Sequence, residues 1–360
     1  MATGQSITRN NQPTSFLARI NQPEYYWVTR PLLAFLITRL IVFIGAYLAE
    51  IALPTATGAG FYTTNPNNVF LDVWARWDSA YYMAIVEQGY WFIPGQQSPV
   101  AFFPLYPLLM DFLAPFTGTL AAGVIISNTF FFGSLVFLYL LTDLEFDGST
   151  AGRAVFYIAA FPTSFFFTAV YTESIFLFMA ISSMYFARKR LWAWAALFGM
   201  LCASSRIVGF MMWGVVGLEW LRHHGWTLTT IYKPSAWRNL LKGIRSDWFN
   251  LLIIFIIPLG LFSYMLFLYQ QFNDPVAFST VQAAWGREVL GPWAIIARDL
   301  QVVFSGNFFT GDIWWQVLLD VSAFFLVIFI SIAIWRRLGA SYALYCILSI
   351  AVPASSGTGS

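Results

Sequence analysis

Charge is what this chain has least of. Only 10% of its 360 residues are Asp, Glu, Lys or Arg and its mean hydropathy is +0.66, whereas about 25% of residues are charged in soluble domains. So little charge cannot cover two or three soluble domains with a water-facing surface, and the apolar mass must face lipid or other helices. Cysteine is nearly absent too: Cys202 and Cys346 both lie in apolar runs, where a thiol acts as a small hydrophobe, which excludes a disulfide framework. His223 and His224 are adjacent, diverge on a helix and have no ligand at zinc spacing. The net charge of +2 comes without any basic block that would track a phosphate backbone, so a nucleic-acid role is excluded. No GxGxxG, P-loop, GxSxG or HExxH motif occurs, which removes Rossmann, Walker-type, hydrolase and zincin readings. The first 30 residues carry Arg9, Arg19 and Arg30 and no apolar stretch of the kind a signal peptide needs.

What remains is 59% hydrophobic and 19% aromatic residues, and the pattern predicts an all-α polytopic bundle, residues 1–360 forming a single transmembrane domain. Windows of about 20 apolar residues fall near 32–53, 120–142, 153–170, 173–187, 191–207, 208–222, 250–270, 314–334 and 341–354. With the amino terminus in the cytoplasm, 14 of the 19 basic residues share that side, among them Arg153, the Arg188, Lys189, Arg190 cluster, the 223–249 loop and the Arg336, Arg337 pair. The positive-inside rule selects this orientation. It leaves 54–119 and 271–313 as exterior loops, which hold Asp72, Asp78, Glu87, Asp111, Asp274, Glu288, Asp299 and Asp312. In the first loop, Ser79 to Gln88 reads as an interfacial helix closed by Gly89, with a second across Leu108 to Phe116. The segment 101–116 is not counted as a span, because counting it would turn every later basic cluster outward.

Ionisable residues at membrane depth are costly unless paired or wet, and so are functional candidates. Asp78, in Arg76-Trp77-Asp78-Ser79, stands at the amino end of the interfacial helix; it is either a general base for an incoming hydroxyl or an N-cap accepting backbone N–H groups. Asp72 is a second acid or a loop residue. Glu173 closes a helical hairpin in Tyr171-Thr172-Glu173-Ser174. Arg206 lies 15 residues beyond Leu191, about 22 Å along a helix, which brings it to the depth of Glu173 on the side of Asp78. Either the two form a structural pair or Arg206 binds a lipid-linked phosphate. Arg39 reads as a buried pair member or a packing charge, with Glu50 further along its span. Asp143, Glu145 and Asp147 have the composition of a divalent-ion site but sit on a short cytoplasmic loop away from the rest. Trp74, Trp77, Tyr81, Tyr82, Tyr90, Trp91, Phe102, Phe103 and Tyr106 offer flat faces for a sugar or an isoprenoid chain.

The string Arg76-Trp77-Asp78-Ser79, followed by Tyr82, Gly89-Tyr90 and Phe102-Phe103-Pro104-Leu105-Tyr106-Pro107, resembles the PIG-V family of mannosyltransferases. The likeness continues through Phe161-Pro162-Thr163-Ser164, Tyr171-Thr172-Glu173-Ser174 and Arg206. It implies a GT-C glycosyltransferase of the cell membrane, active on the exterior side, that moves a sugar from polyprenyl-phosphate mannose to an acceptor hydroxyl with inversion and without a metal or other cofactor. On that pattern Asp78 is the catalytic base. Arg206 takes the leaving phosphate, with Arg76 and Arg287 behind it, and Glu173 orients Arg206 or binds sugar hydroxyls. Tyr171, Trp77, Tyr81, Tyr82, Tyr106 and Asp72 complete the substrate-binding set. The partners so implied are a lipid-linked donor, a glycan, lipid or protein acceptor and the bilayer. Family members often carry His at the position of Tyr81, and the chain stops at Pro353-Ala354-Ser355-Ser356-Gly357-Thr358-Gly359-Ser360, short of a further exterior motif, so a carboxyl-terminal truncation is implied. A transporter or flippase is the rival reading, a scaffold the third. The enzyme reading requires Asp78, Glu173 and Arg206 to border one exterior cavity open to lipid.

Overall fold

Long runs of aliphatic and aromatic residues make helices the cheapest way to satisfy a backbone that meets no water. A computed structural model of the chain describes residues 22–53, 68–289, 291–304 and 314–358. It is an all-α bundle: α1 (Tyr26–Ala52), α2 (Val69–Asp72), α3 (Ser79–Gln88), α4 (Leu105–Thr117), α5 (Thr119–Glu145), α6 (Gly148–Ala159), α7 (Glu173–Arg188), α8 (Trp192–Ala203), α9 (Met212–His223), α10 (Pro234–Ser246), α11 (Trp248–Ile254), α12 (Leu259–Phe272), α13 (Ala277–Thr280), α14 (Pro292–Phe304), α15 (Trp314–Leu338) and α16 (Ala340–Ala354). One antiparallel pairing joins β1 (Arg287–Val289) to β2 (Ser356–Thr358). The expected positions Arg9, Arg19 and Asp312, and the parts of the two long loops at 54–67 and 305–313, lie outside the described residues.

Among the described residues, α1, α5 and α15 are individually long and apolar enough to cross a membrane. Helix α5 is central, with 44% of its apolar window buried; α1 and α15, at 17% and 11%, lie on the perimeter. Their outward Leu33, Leu36, Leu40, Ile41, Leu326 and Phe329 suit contact with acyl chains. Small residues let the inner helices approach: Gly123 of α5 packs against Val170, Gly133 against Phe178 of α7, and Gly199 of α8 against Ile257.

Several expected spans are broken. The window 250–270 is α11 and α12, bent by 43° at the break before Leu259, where Pro258 cannot continue the ladder. The window 153–170 is helical only to Ala159, since Pro162 disfavours helix before it; a 3-10 turn, Ser164–Phe167, follows. The guanidinium of Arg39 holds that turn. Its Nη atoms donate to Ala159 O (3.2 Å), Ser164 O (2.8 Å), Ser164 Oγ (3.0 Å) and Thr168 Oγ1 (2.9 Å), and it lies 4.7 Å from the Phe131 ring centroid. Of the two readings of Arg39, these contacts support the packing charge, and Glu50 is not its partner. Eleven residues along one helix are about 16 Å, too far for contact, and Glu50 pairs with Arg76 instead. The windows 173–187, 191–207, 208–222 and 341–354 hold helices of 16, 12, 12 and 15 residues.

At the far end of α5 two of the three acids, Glu145 and Asp147, are used structurally. Asp147 caps α6 by accepting from Thr150 N at 2.8 Å. Glu145 accepts from both Arg188 Nη2 (2.6 Å) and Tyr342 Oη (2.9 Å), and Glu219 takes Arg188 and Arg222, each at 3.1 Å.

Two glycines test this packing. A Cβ on Gly260 would lie 2.1 Å from Met200 O, backbone that cannot rotate away, whereas one on Gly217 meets nothing within 4 Å. Gly260→Ala is expected to force α12 off α8 and destabilise the detergent-solubilised chain by about 1–3 kcal/mol. Gly217→Ala, in mid-helix, should leave the melting temperature unchanged or raise it. Thermal unfolding of the two variants side by side checks the contrast.

Candidate active site

Local chemistry starts α3 where the sequence predicts. Gly89, at φ +78°, ends it at Gln88, a conformation that costs glycine little. At the other end Trp77 adopts φ +50°, a left-handed conformation that costs a bulky residue on the order of 1 kcal/mol or more. The surroundings hold it there. Trp74 is buried with its ring 4.8 Å edge-on from Phe43, its carbonyl accepts from Val170 N (3.2 Å) and Ser79 Oγ (3.3 Å), and the Arg76 carbonyl accepts from Tyr171 Oη (3.1 Å). The Arg76 side chain pairs with Glu50 (2.7 Å) and Asp72 (2.9 Å). Strain at Trp77 is thus paired with a backbone stitched on both sides, and the next residue, Asp78, is presented outward.

Asp78 occupies the N-cap position, yet its carboxylate caps nothing. Among the described residues it makes no hydrogen bond or ion pair, and it is exposed. Of the two readings left open for Asp78, the side-chain N-cap is the one the geometry does not support.

Facing it is the start of α7. Glu173 Oε1 accepts from Arg206 Nη1 at 2.6 Å, with side-chain exposures of 30% and 43%. Glu173 Oε2 is buried and has no partner among the described residues. Arg206 follows the end of α8 in an extended conformation, held by Ser205 Oγ donating to Cys202 O at 2.7 Å, and its Nη1 also approaches Thr172 Oγ1 at 3.4 Å. Thr172 in turn meets the Tyr82 hydroxyl at 3.3 Å. Tyr81 stacks on Phe102 at 4.8 Å, stands edge-on to Trp285 at 5.7 Å, and donates to Gln97 Oε1 at 2.9 Å. Arg287 extends from β1, is exposed, and donates to Gln282 Oε1 at 3.2 Å.

These charges act on one another. The protein around the Asp78 carboxyl desolvates it and pushes its pKa above the ordinary aspartate range; Arg287 pulls it back, Glu173 pushes it further up, and Arg206 lowers it. The candidate residues therefore divide. Asp78, Glu173 and Arg206 come together, with Tyr81 and Tyr82 alongside, and Arg287 joins them as the cation that acts most strongly on Asp78. Asp72, buried, and Arg76 turn toward Glu50. Tyr171 is buried and braces the Arg76 carbonyl, and Tyr106 is fully buried, its hydroxyl bound to Gly123 O (3.0 Å) and Ser127 Oγ (2.8 Å). Trp77 is exposed beside Asp78. Gln97 and Trp285 were not singled out by sequence, and Thr172 only within the Tyr171-Thr172-Glu173-Ser174 string: a glutamine or an interfacial tryptophan carries no local signal of contact.

A carboxylate free to accept a proton, beside guanidinium groups able to hold an anion and a half-satisfied glutamate able to accept hydroxyls, is equipped for displacement at a carbon bearing an anionic leaving group. Among the described residues no three His, Cys, Asp or Glu side chains cluster closely enough to hold a metal ion.

Comparison with known proteins matches the chain to the mannosyltransferase (PIG-V) family model over residues 24–322. The chain is similar to the GPI alpha-1,6-mannosyltransferase 2 of Mus musculus, 27% identical over 269 residues, covering 68% of this chain and 51% of the mouse protein. It is likewise similar to that of Cricetulus griseus, 28% identical over 272 residues with the same two coverages. The chain spans about half the length of the curated relatives it matches. No solved structure matches it. The family match runs through every element that builds the Asp78, Glu173 and Arg206 cluster, and the chain belongs to the PIG-V mannosyltransferase family.

Proposed function

We propose that the protein is an inverting mannosyltransferase that draws a polyprenyl-phosphate mannose donor from the bilayer and transfers the sugar to an acceptor hydroxyl at an exterior-facing site. The observation that carries this reading is the uncapped, unpaired Asp78 carboxylate set among Arg206, Arg287 and Glu173. Asp78 takes the proton of the acceptor hydroxyl as its oxygen bonds to the anomeric carbon. The bond from that carbon to the phosphate oxygen breaks on the opposite face, and its electron pair leaves with the phosphate. That phosphate is anionic already in the donor, so a guanidinium stabilises the added charge through charge-assisted hydrogen bonds without a metal being needed. Arg206 is half-exposed and its hydrogen bonds to Glu173 and Thr172 use Nη1 alone, which leaves donors for a ligand. Glu173 Oε2 suits a sugar hydroxyl, which would satisfy a buried acceptor. The half-buried aromatic wall of Tyr81 and Trp285 suits the sugar face or the first isoprene units.

Membranes containing the chain, incubated with radiolabelled polyprenyl-phosphate mannose and separately with the glucose analogue, are expected to transfer mannose in preference. Asp78→Asn should lower the turnover by about 10²- to 10⁴-fold with the protein still inserted; a variant transferring at the wild-type rate would remove Asp78 from its role.

The pH profile follows from the neighbours. The base must be ionised, and its pKa is raised, so kcat/KM should fall on acidification at a pH above the ordinary aspartate range. Because Glu173 raises that pKa and Arg287 lowers it, Glu173→Gln should move the acid limb down and Arg287→Gln should move it up. Limbs that stay in place in both variants would mean that another group titrates. Arg206→Gln is expected to lower kcat more than tenfold, an amount equal to losing one charged hydrogen bond of about 1.5–3 kcal/mol to the leaving phosphate.

A further inference from the structure

The pair Glu173 and Arg188 marks the two ends of α7, about 22 Å apart by helix rise. At the Arg188 end, remote from Asp78, a cavity of about 530 Å³ opens between the end of α9, the segment after it, and the turn from α15 to α16. Leu218 and Arg222, Trp226 to Thr229, Trp335 and Arg336, and Gly339 to Ser341 line it. The mechanism uses none of them.

Its polar side is built for an anion. Arg222 spends only Nε on Glu219, at 3.1 Å, so both Nη groups are left for another acceptor. Arg336 is exposed and has no hydrogen bond among the described residues. Gly339, at φ +107°, turns the chain so that α16, of 15 residues, begins at the cavity wall; the first-turn N–H groups of a helix have no acceptor within it. The hydroxyls of Thr227 and Thr229, 3.0 Å apart, stand on the same wall. Trp226 has a buried indole N–H with no acceptor among the described residues. Glu219 lies behind this wall, buried, already accepting from Arg188, Arg222 and Ser341. It neutralises part of the charge but leaves Arg336 uncompensated.

Its other side is apolar and continuous with the perimeter of the bundle. Leu228 and Trp335 are 43% and 45% exposed, and Trp335 belongs to α15, the least buried of the long helices. Bidentate guanidinium groups, threonine hydroxyls and helix N–H groups together fit a phosphate oxyanion, and basic pockets at helix ends hold anionic head groups. The apolar rim distinguishes a phosphate carried on a lipid from one free in solution.

We propose that this cavity binds the phosphodiester head of an anionic membrane lipid, at a site separate from the transfer site and on the opposite end of α7. The test is thermal unfolding of the detergent-solubilised chain titrated with dioctanoyl-phosphatidylglycerol, with dioctanoyl-phosphatidylcholine, and with inorganic phosphate. Phosphatidylglycerol should stabilise saturably, and Arg336→Gln, at an exposed position, should weaken its apparent affinity about tenfold, the worth of one charge-assisted contact. Arg337→Gln removes the same charge from the next residue, which does not line the cavity, and should leave the affinity unchanged. Equal stabilisation by phosphatidylcholine or by inorganic phosphate would overturn the proposal, as would an equal loss in both variants, which would reduce the effect to net charge.

Discussion

A charge placed where no water reaches must be met by protein, and in a chain with so few charges that constraint organises the bundle. Arg39 is the sharpest instance. It is buried on α1 and meets no carboxylate among the described residues; it is held by carbonyls and hydroxyls of the segment where α6 ends. Ala159 O lies at the carboxyl end of α6, where the helix dipole presents partial negative charge. The same contacts set the path of residues 160–168, which brings Val170 N to the Trp74 carbonyl and Tyr171 to the Arg76 carbonyl. Through those bonds the turn carrying Asp78 is tied to the start of α7.

The arginines then sort by what surrounds them. Arg39, Arg76 and Arg188 are enclosed, and each is matched by acceptors that hold two or more elements together. Arg206 and Arg287 are exposed, Arg206 bound through Nη1 to Glu173 and Thr172 and Arg287 to Gln282, and both act on Asp78. Asp78 is reached by two cations and touched by neither, which is the condition the proposed proton transfer requires. Across the length of α7, Arg222 and Arg336 repeat the exposed pattern beside an apolar rim, so both ends of the bundle offer guanidinium donors to ligands.

Features set by neighbouring residues were legible in the sequence. Helix α3 begins at Ser79 and ends at Gln88 because Gly89 takes a positive φ at the next position, a local signal. The depth of Glu173 and Arg206 followed from helix rise alone, and the 2.6 Å contact agrees with it. Features that depend on distant partners were not legible. The window 153–170 is as apolar as its neighbours, and its break is stabilised by an arginine about 120 positions earlier. Glu50 lies on the same helix as Arg39, but its partner, Arg76, is reached only when the chain folds back.

The amino-acid pattern was sufficient to assign the class of molecule, because hydropathy, charge scarcity and helix period are properties of composition and short-range order. It also supplied a short list of ionisable residues with no evident reason to be in an apolar protein. Which of them share a site was a matter of long-range packing. Residues 78, 173, 206 and 287 are far apart along the chain, and the electrostatics that separate a free carboxylate from a capped one, or a ligand-ready guanidinium from a structural one, depend on distances of a few ångströms that no spacing in the sequence encodes.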